Sequence, residues 1–182
     1  MVGPRKPKKL DADGLWQYAL RLLGRRPYST AELKTKLSRR TETPSDLTKV
    51  VDKLREYGLA DDKSFSEAFA SARLQNQGFG KARVLRDLRA KRVSSQIAEQ
   101  AVNKTFEKTR EFDLADQFLT RKYRRQSLDQ VLSDPKQFAS AYRKLRMAGF
   151  SGVASLSVLK RYAKSAEEWP EPEEEGTLEN GE

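Results

Sequence analysis

The 182-residue sequence contains no cysteine and no histidine. The chain therefore forms no disulfide, offers no thiolate, and lacks the commonest general base and catalytic zinc ligand. No apolar run approaches the roughly 20 residues that a membrane helix needs. The basic start MVGPRKPKKL lacks the apolar segment of a secretory signal. We expect a soluble cytoplasmic protein that has no cofactor and no metal.

Positive charge is in large excess and unevenly distributed. The chain has 36 Lys and Arg against 26 Asp and Glu, and eight of the acidic residues are glutamates in segment 167–182, which holds no Lys or Arg. The remainder therefore carries 36 basic against 18 acidic side chains, a net charge of +18. Such an excess predicts nucleic acid or a nucleoprotein as partner. A merely solubilising surface is the alternative.

Apolar residues recur at helical spacing through the body of the chain, and no segment shows the alternation of a strand. The stretch RRPYSTAELKTKLSRR, residues 25–40, contains a capping box formed by Ser29 and Glu32. It predicts a helix that starts at Thr30 and buries Leu33 and Leu37. The pairs Thr43-Pro44 and Asp134-Pro135, and the residues Ser94 and Ser151, mark further helix starts.

The helical pattern repeats along the chain. The pairs Lys36-Leu37, Asp87-Leu88 and Lys144-Leu145 recur at intervals of 51 and 57 residues. We predict an elongated all-α protein of three tandem three-helix modules. The modules span 13–60, 61–108 and 109–166, between a basic disordered N-terminus, 1–12, and an acidic disordered tail, 167–182. Segment 122–133 is either a long loop or a short extra turn.

Basic residues cluster at equivalent places in the three modules. In the helix KARVLRDLRAKR, Arg83 and Arg86 lie opposite the apolar stripe of Val84, Leu85 and Leu88. The corresponding segments around 34–40 and 143–146 are basic too, which favours a continuous basic track over an ordinary solvated surface. The candidate nucleic-acid-binding residues are Arg25, Arg26, Lys34, Lys36, Arg39, Arg40, Lys81, Arg83, Arg86, Arg89, Lys91, Arg121, Lys122, Arg124, Arg125, Arg143, Lys144 and Arg146.

Two aromatic residues have two interpretations each. Tyr123, within a basic cluster, either stacks on a base or is buried with its hydroxyl reaching solvent, and burial is favoured. Phe79, between Gly78 and Gly80, is either an exposed anchor or packed between helices.

Enzymatic activity and sequence-specific DNA binding have weaker support. Asp61, Asp62 and Glu67 are the candidates for a Mg²⁺-dependent nuclease, but adjacent acids before a helix are what its cap requires. We therefore do not expect an enzyme. Three polar residues could in principle read base edges, but they are better interpreted as ordinary surface residues. They are Gln96, Gln100 and Asn103.

Two long stretches of this sequence resemble the RecX regulatory proteins of bacteria. They are YALRLLGRRPYSTAELKTKL and DKLREYGLADDKSFSEAFASARLQNQGFGKARVLRDLRAKRVS. The match runs from about residue 13 to 106, with weaker likeness to about 163. Two departures are Ser64, where an arginine is common, and Arg92, where a glycine is usual.

The resemblance implies a monomeric modulator of the recombinase RecA that has no reaction of its own. Such proteins are three-helix repeats that lie in the groove of the RecA–DNA filament, block its extension or promote its disassembly, and lower ATPase, strand-exchange and co-protease activity. The expected partners are the RecA filament and single- or double-stranded DNA. The candidate residues would then face the filament. The alternative is a general DNA- or RNA-binding helical protein with no recombinase partner.

The acidic tail prompts a separate hypothesis. Its eight glutamates would fold back on the basic body and compete with DNA, tuning affinity and salt response. Solubilisation alone is the alternative.

Overall fold

The computed structural model describes residues 8–163, and in this range the chain is all-α apart from one isolated bridge. The α-helices are α1 Ala12–Leu23, α2 Thr30–Ser38, α3 Pro44–Glu56, α4 Asp62–Ala72, α5 Lys81–Ala90, α6 Ser95–Phe106, α7 Glu111–Lys122, α8 Leu128–Leu132, α9 Pro135–Met147 and α10 Gly152–Tyr162, and a π-helical turn spans Arg73–Gln77. The all-α prediction is confirmed. The acidic tail, with its hypothesis, lies outside the described residues.

The helices begin where the local sequence predicts. Ser29 Oγ accepts the Glu32 N–H, and the Glu32 carboxylate accepts the Ser29 N–H, so the capping box is formed. Thr43, Ser94 and Ser151 each accept an amide from the first turn of their helices. Each such cap satisfies a donor that the helix leaves unpaired and contributes about 1 kcal/mol.

Order begins earlier in the chain than its composition suggests. Leu10, within the segment predicted to be disordered, forms a parallel bridge with Thr41. Its N–H donates to the Arg40 carbonyl at 2.7 Å, and its carbonyl accepts the Glu42 N–H at 3.0 Å. The leucine also packs against the core of α1–α3. Charge and proline content do not indicate this pairing, because it is made by backbone groups.

The chain divides into two compact units. Among the described residues, unit 1 comprises 8–73 together with Val84–Glu107, and unit 2 comprises Leu74–Arg83 together with 108–163. Helix α5 therefore begins in unit 2 and continues in unit 1.

The core of unit 1 is made of small layers. Helices α1, α2 and α3 pack on one another, while α4 packs on α6. The core residues of the three-helix layer are Leu15, Ala19, Leu22, Tyr28, Leu33, Leu37, Val50, Val51, Leu54 and Ala60. Between α4 and α6 the buried side chains include Ala70 and Ala98, whose small size lets the two helices approach closely.

Helical spacing predicts burial for Tyr57, Ala68, Ala72 and Val153, but all four are exposed. Tyr57 is 66% exposed because α3 ends at Glu56, so the tyrosine lies beyond the buried face, with its ring centre 5.7 Å from that of Trp16. Val153 is 79% exposed in the first turn of α10, where the buried face begins one residue later. On α4, Ala68 and Ala72 are exposed, because only a narrow face of this helix packs against α6.

In unit 2, helices α7, α9 and α10 pack together around fully buried leucines. The segment 122–133 contains the short helix α8, which packs on α9 and α10. Leu132, completely buried, holds this helix in place. Of the two alternatives for this segment, the short extra turn is confirmed.

Two glycines allow two backbone segments of unit 2 to approach each other closely. Gly80 precedes α5 and donates its N–H to the Ala148 carbonyl at 2.9 Å, while the Ala82 N–H donates to the Gly149 carbonyl at 3.3 Å. A Cβ at Gly80 would lie 2.3 Å from the Gly149 oxygen. Gly149 has a positive φ of 93°, a backbone conformation that residues with a side chain rarely adopt. Helix α5 therefore starts against the end of α9 only because both residues are glycine.

Gly80→Ala is expected to lower the free energy of unfolding by about 2 kcal/mol or more, because a backbone atom must move to admit the methyl group. Gly24→Ala is the matched control, since its Cβ would make only an ordinary 3.5 Å contact at a helix end. The measurement is urea unfolding followed by circular dichroism. Equal stability of the two variants would contradict the packing described for Gly80.

Candidate nucleic-acid interface

The start of α2 joins three parts of unit 1. Ser29 is fully buried, and its hydroxyl donates to the Lys91 carbonyl at 2.7 Å. The next amide, that of Thr30, donates to the Asp62 carboxylate at 2.8 Å. These two bonds hold α2 against the start of α4 and the segment that follows α5. The residues at the start of α2 therefore fix the position of this helix relative to its neighbours in unit 1, and they also define where the helix begins.

Lys91 and Glu32 form an ion pair beside this joint. The ammonium lies 3.0 Å from the carboxylate, and the two side chains are 23% and 24% exposed. Burial raises the pKa of Glu32, but hydrogen bonds from Lys91, Arg26 and the Ser29 N–H outweigh it and lower that pKa. The Lys91 ammonium also lies 5.6 Å from the ring centre of Phe69. Lys91 is thus tied into the structure of unit 1.

A cleft opens next to the ion pair, between α2 and the end of α5. Its volume is about 240 Å³, and its lining residues are Ala31, Glu32, Thr35, Lys36, Arg39, Ala90, Lys91 and Arg92. The cleft brings together three of the predicted binding residues, Lys36, Arg39 and Lys91. It adds Arg92, which the sequence interpretation does not include among them. The one sequence signal is that Arg92 stands where the resemblance suggests glycine.

Eight of the predicted cations, including Arg39 of the cleft, are exposed. Their side chains make no hydrogen bond or ion pair with another residue in the range 8–163. They are Arg25, Lys34 and Arg39 around α2, Lys81 at the start of α5, and Lys122, Arg124, Arg125 and Arg143 in unit 2. An exposed cation of this kind releases counterions when it meets a phosphate.

Other candidates of unit 1 contact neighbouring side chains. Arg26 lies 3.6 Å above the ring centre of Tyr28, and Arg40 lies 5.1 Å from that of Tyr18. Arg89 pairs with Glu99 at 3.6 Å. The arginines over tyrosines are stabilised by cation–π contact, which lowers their freedom to reach a ligand. Arg86, the remaining candidate of this unit, lies on the exposed side of α5.

In unit 2, three candidates hold the backbone in place. Arg121 donates to the Gln77 carbonyl in the π-helical turn. Arg83 donates to the Met147 carbonyl at 3.4 Å and Arg146 to that of Phe150 at 2.9 Å. A fourth candidate, Lys144, donates to a tyrosine hydroxyl. The candidates are therefore not one class of residue, since some support the fold and others face solvent.

Both ambiguous aromatics are packed. Tyr123 is 8% exposed, and its hydroxyl accepts the Lys144 ammonium at 3.0 Å. Phe79 packs against Phe118, with ring centres 6.4 Å apart. For Tyr123 burial is confirmed, and base stacking by this residue is wrong because its ring face lies inside unit 2.

The three carboxylates considered for Mg²⁺ have structural partners. Asp61 caps α4 by accepting the Lys63 N–H at 2.8 Å, and Asp62 accepts the Thr30 N–H. Glu67 pairs with Lys104 at 2.9 Å. The capping interpretation is confirmed for Asp61, whereas the carboxylate of Asp62 binds the amide at the start of α2. Gln96, Gln100 and Asn103 are exposed on α6.

Lys91→Met is expected to lower the free energy of unfolding by about 1 kcal/mol at pH 7, because the ion pair with Glu32 is removed while the apolar stem is kept. The pKa of Glu32 is lowered on folding, so this stability is present above its ordinary pKa of 4.5. It is lost as the pH falls through the lower folded pKa. Urea unfolding of both proteins between pH 7 and pH 3 measures the difference.

Lys34→Met is the control, because Lys34 is exposed on α2, the helix that carries Glu32, and has no partner among residues 8–163. It should unfold like the parent protein throughout. A stability difference for Lys91→Met that stays constant down to pH 3 would show that the ion pair is not its source.

No helix in residues 8–163 has the length and apolar character to cross a membrane. Two family models match the chain: the first three-helix domain of RecX matches residues 16–60, and the second matches residues 61–102. A solved structure, RecX from Lactobacillus salivarius, has a TM-score of 0.63 and 20% identity over 84% of this chain and 96% of its own. This likeness shows a shared fold.

Two relatives, each named regulatory protein RecX, extend the comparison. The protein of Chromohalobacter salexigens is 37% identical over 84 residues, which are 46% of this chain and 55% of the relative. This chain thus spans just over half the length of that relative. The protein of Deinococcus radiodurans is 30% identical over 163 residues, which are 88% of this chain and 75% of the relative. The chain belongs to the RecX family of regulatory proteins.

Proposed function

We propose that this protein is a negative regulator of the RecA recombinase. It binds the RecA–DNA filament as a monomer and blocks filament extension or promotes disassembly. It thereby lowers ATP hydrolysis, strand exchange and co-protease activity in homologous recombination and the SOS response. The observation that carries the proposal is membership of the RecX family, whose relatives are named regulatory proteins.

The charge distribution supports a polyanionic partner. A nucleoprotein filament presents phosphates, and the exposed cations of α2 and of unit 2 are the groups that would meet them. The contacts are individually weak, but linked contacts act together because each one raises the effective concentration of the next. A chain of small helical layers with cations in several of them is suited to such distributed binding.

Within unit 1, the basic side chains differ in whether they are available to bind a ligand. Lys34 and Arg39 are exposed and have no partner in residues 8–163, so they are available for binding and are sensitive to salt. Lys91 is held by Glu32 and mainly keeps the cleft in shape. A change in the first two should therefore alter inhibition without altering the fold.

Lys34→Glu combined with Arg39→Glu is expected to raise the concentration needed for half-inhibition of RecA by about tenfold at moderate salt, because two attractions become repulsions. The measurement is single-strand-DNA-dependent ATP hydrolysis by preformed filaments with DNA in excess. Circular dichroism and urea unfolding check that the variant is folded.

Lys49→Glu combined with Lys63→Glu changes the net charge equally, at exposed positions of α3 and α4. It should inhibit nearly as well as the parent chain. If both double variants lose inhibition equally, net charge rather than the α2 surface is responsible. The parent chain and its variants could instead bind bare nucleic acid with equal affinity and have no effect on RecA filaments. That result would favour the general nucleic-acid-binding alternative.

A further inference from the structure

Arg92 adopts a backbone conformation that arginine rarely takes. Its φ is 58°, in the left-handed region. Its N–H donates to the Arg89 carbonyl at 2.8 Å, and the Val93 N–H donates to the Leu88 carbonyl at 3.3 Å, so Arg92 ends α5 at the position where glycine carries no strain. Strain retained at one residue points to a role for its side chain.

That side chain lines the cleft between α2 and the end of α5. The only carboxylate among the lining residues is Glu32, and it is already engaged by Lys91 at 3.0 Å and Arg26 at 3.4 Å. The positive charges of Lys36, Arg39 and Arg92 are therefore left without an anion among the residues that line the cleft. A concave site with uncompensated positive charge attracts an anion.

The arrangement of the donors indicates the kind of anion. Arg39 lies at the end of α2 and Arg92 at the end of α5, so the two guanidinium groups belong to different walls of the cleft. Neither makes a hydrogen bond or ion pair with another residue in 8–163. A phosphate is tetrahedral and accepts hydrogen bonds from several directions, whereas a planar carboxylate is best matched by a single guanidinium fork.

We infer that this cleft binds one phosphodiester group of a nucleic-acid strand, with Arg39 and Arg92 as its hydrogen-bond donors and Lys36 as a supporting charge. The inference rests on the proposed function in that it names the ligand of this part of the surface. It also concerns bare nucleic acid, so it can be tested without a recombinase. Lys91 shapes the cleft through its bond to Glu32 and is not itself a ligand.

The test is binding of the full chain to a fluorescein-labelled oligothymidine, measured by anisotropy over a range of salt concentrations. The variant Arg39→Gln with Arg92→Asn removes both guanidinium groups, and asparagine tolerates the left-handed conformation, so the fold is kept. We expect roughly tenfold weaker binding at low salt. The slope of log affinity against log salt should fall by about 0.7 for each phosphate that the variant no longer neutralises.

Lys49→Gln with Lys63→Gln is the matched control, because it removes the same charge from α3 and α4, outside the cleft. It should change the affinity less than twofold and leave the slope unchanged. Arg92→Lys keeps the charge and the strained backbone but removes the fork, and should bind between the parent and the neutral variant.

Three results would overturn the inference. The first is an unchanged salt slope in the Arg39→Gln, Arg92→Asn variant. The second is an equal loss of affinity in the control pair. The third is unchanged DNA binding together with abolished inhibition of RecA filaments, which would assign the cleft to an acidic protein surface. If the parent chain binds DNA through the cleft yet never inhibits filaments, the proposed function fails while this inference stands.

Discussion

The hydrogen bonds at the start of α2 are the constraint on which unit 1 depends. Buried Ser29 caps its own helix and also binds the Lys91 carbonyl, while Glu32 closes the capping box and pairs with the Lys91 ammonium. The helices here are short and each buries little apolar surface, so a fully satisfied polar joint has a large share in fixing their positions. The cleft between α2 and the end of α5 exists because of this joint.

The basic residues of the chain serve two purposes that net charge cannot separate. Lys91, Arg121 and Lys144 are bonded to other groups of their own unit. Lys34 and Arg39 face solvent without a partner in residues 8–163. Only the second kind can exchange bound counterions for phosphates at no structural cost. The proposed binding function therefore depends on fewer residues than the composition suggests, and its salt dependence should reflect that smaller set.

The helices could be predicted because their signals are local. The caps of Ser29 and Thr43 involve groups within a few residues, and the spacing of Leu33 and Leu37 indicates which face of α2 is buried. The partner of that face is not local. Glu32 and Lys91 are 59 residues apart, and no sequence pattern around either residue indicates that they meet.

The same reason explains what sequence reasoning misses at the candidate site. Charge singles out Lys36, Arg39 and Lys91, but it gives no indication that they line one cleft or that Lys91 is already paired. Arg92 also lines the cleft, at a left-handed backbone conformation that charge and helical periodicity do not indicate. The burial of Tyr123 cannot be read from the sequence for a related reason, because a tyrosine within a basic cluster can have either a buried or an exposed ring.

The most direct test of the central claim, that the chain regulates a recombinase filament, is its stoichiometry of action. Preformed RecA filaments on excess single-stranded DNA are titrated with the protein while ATP hydrolysis is followed. We predict that hydrolysis is lost at well below one molecule per recombinase subunit, as expected for binding at filament ends or gaps. Inhibition only at concentrations that coat the DNA, or no inhibition, would contradict the claim.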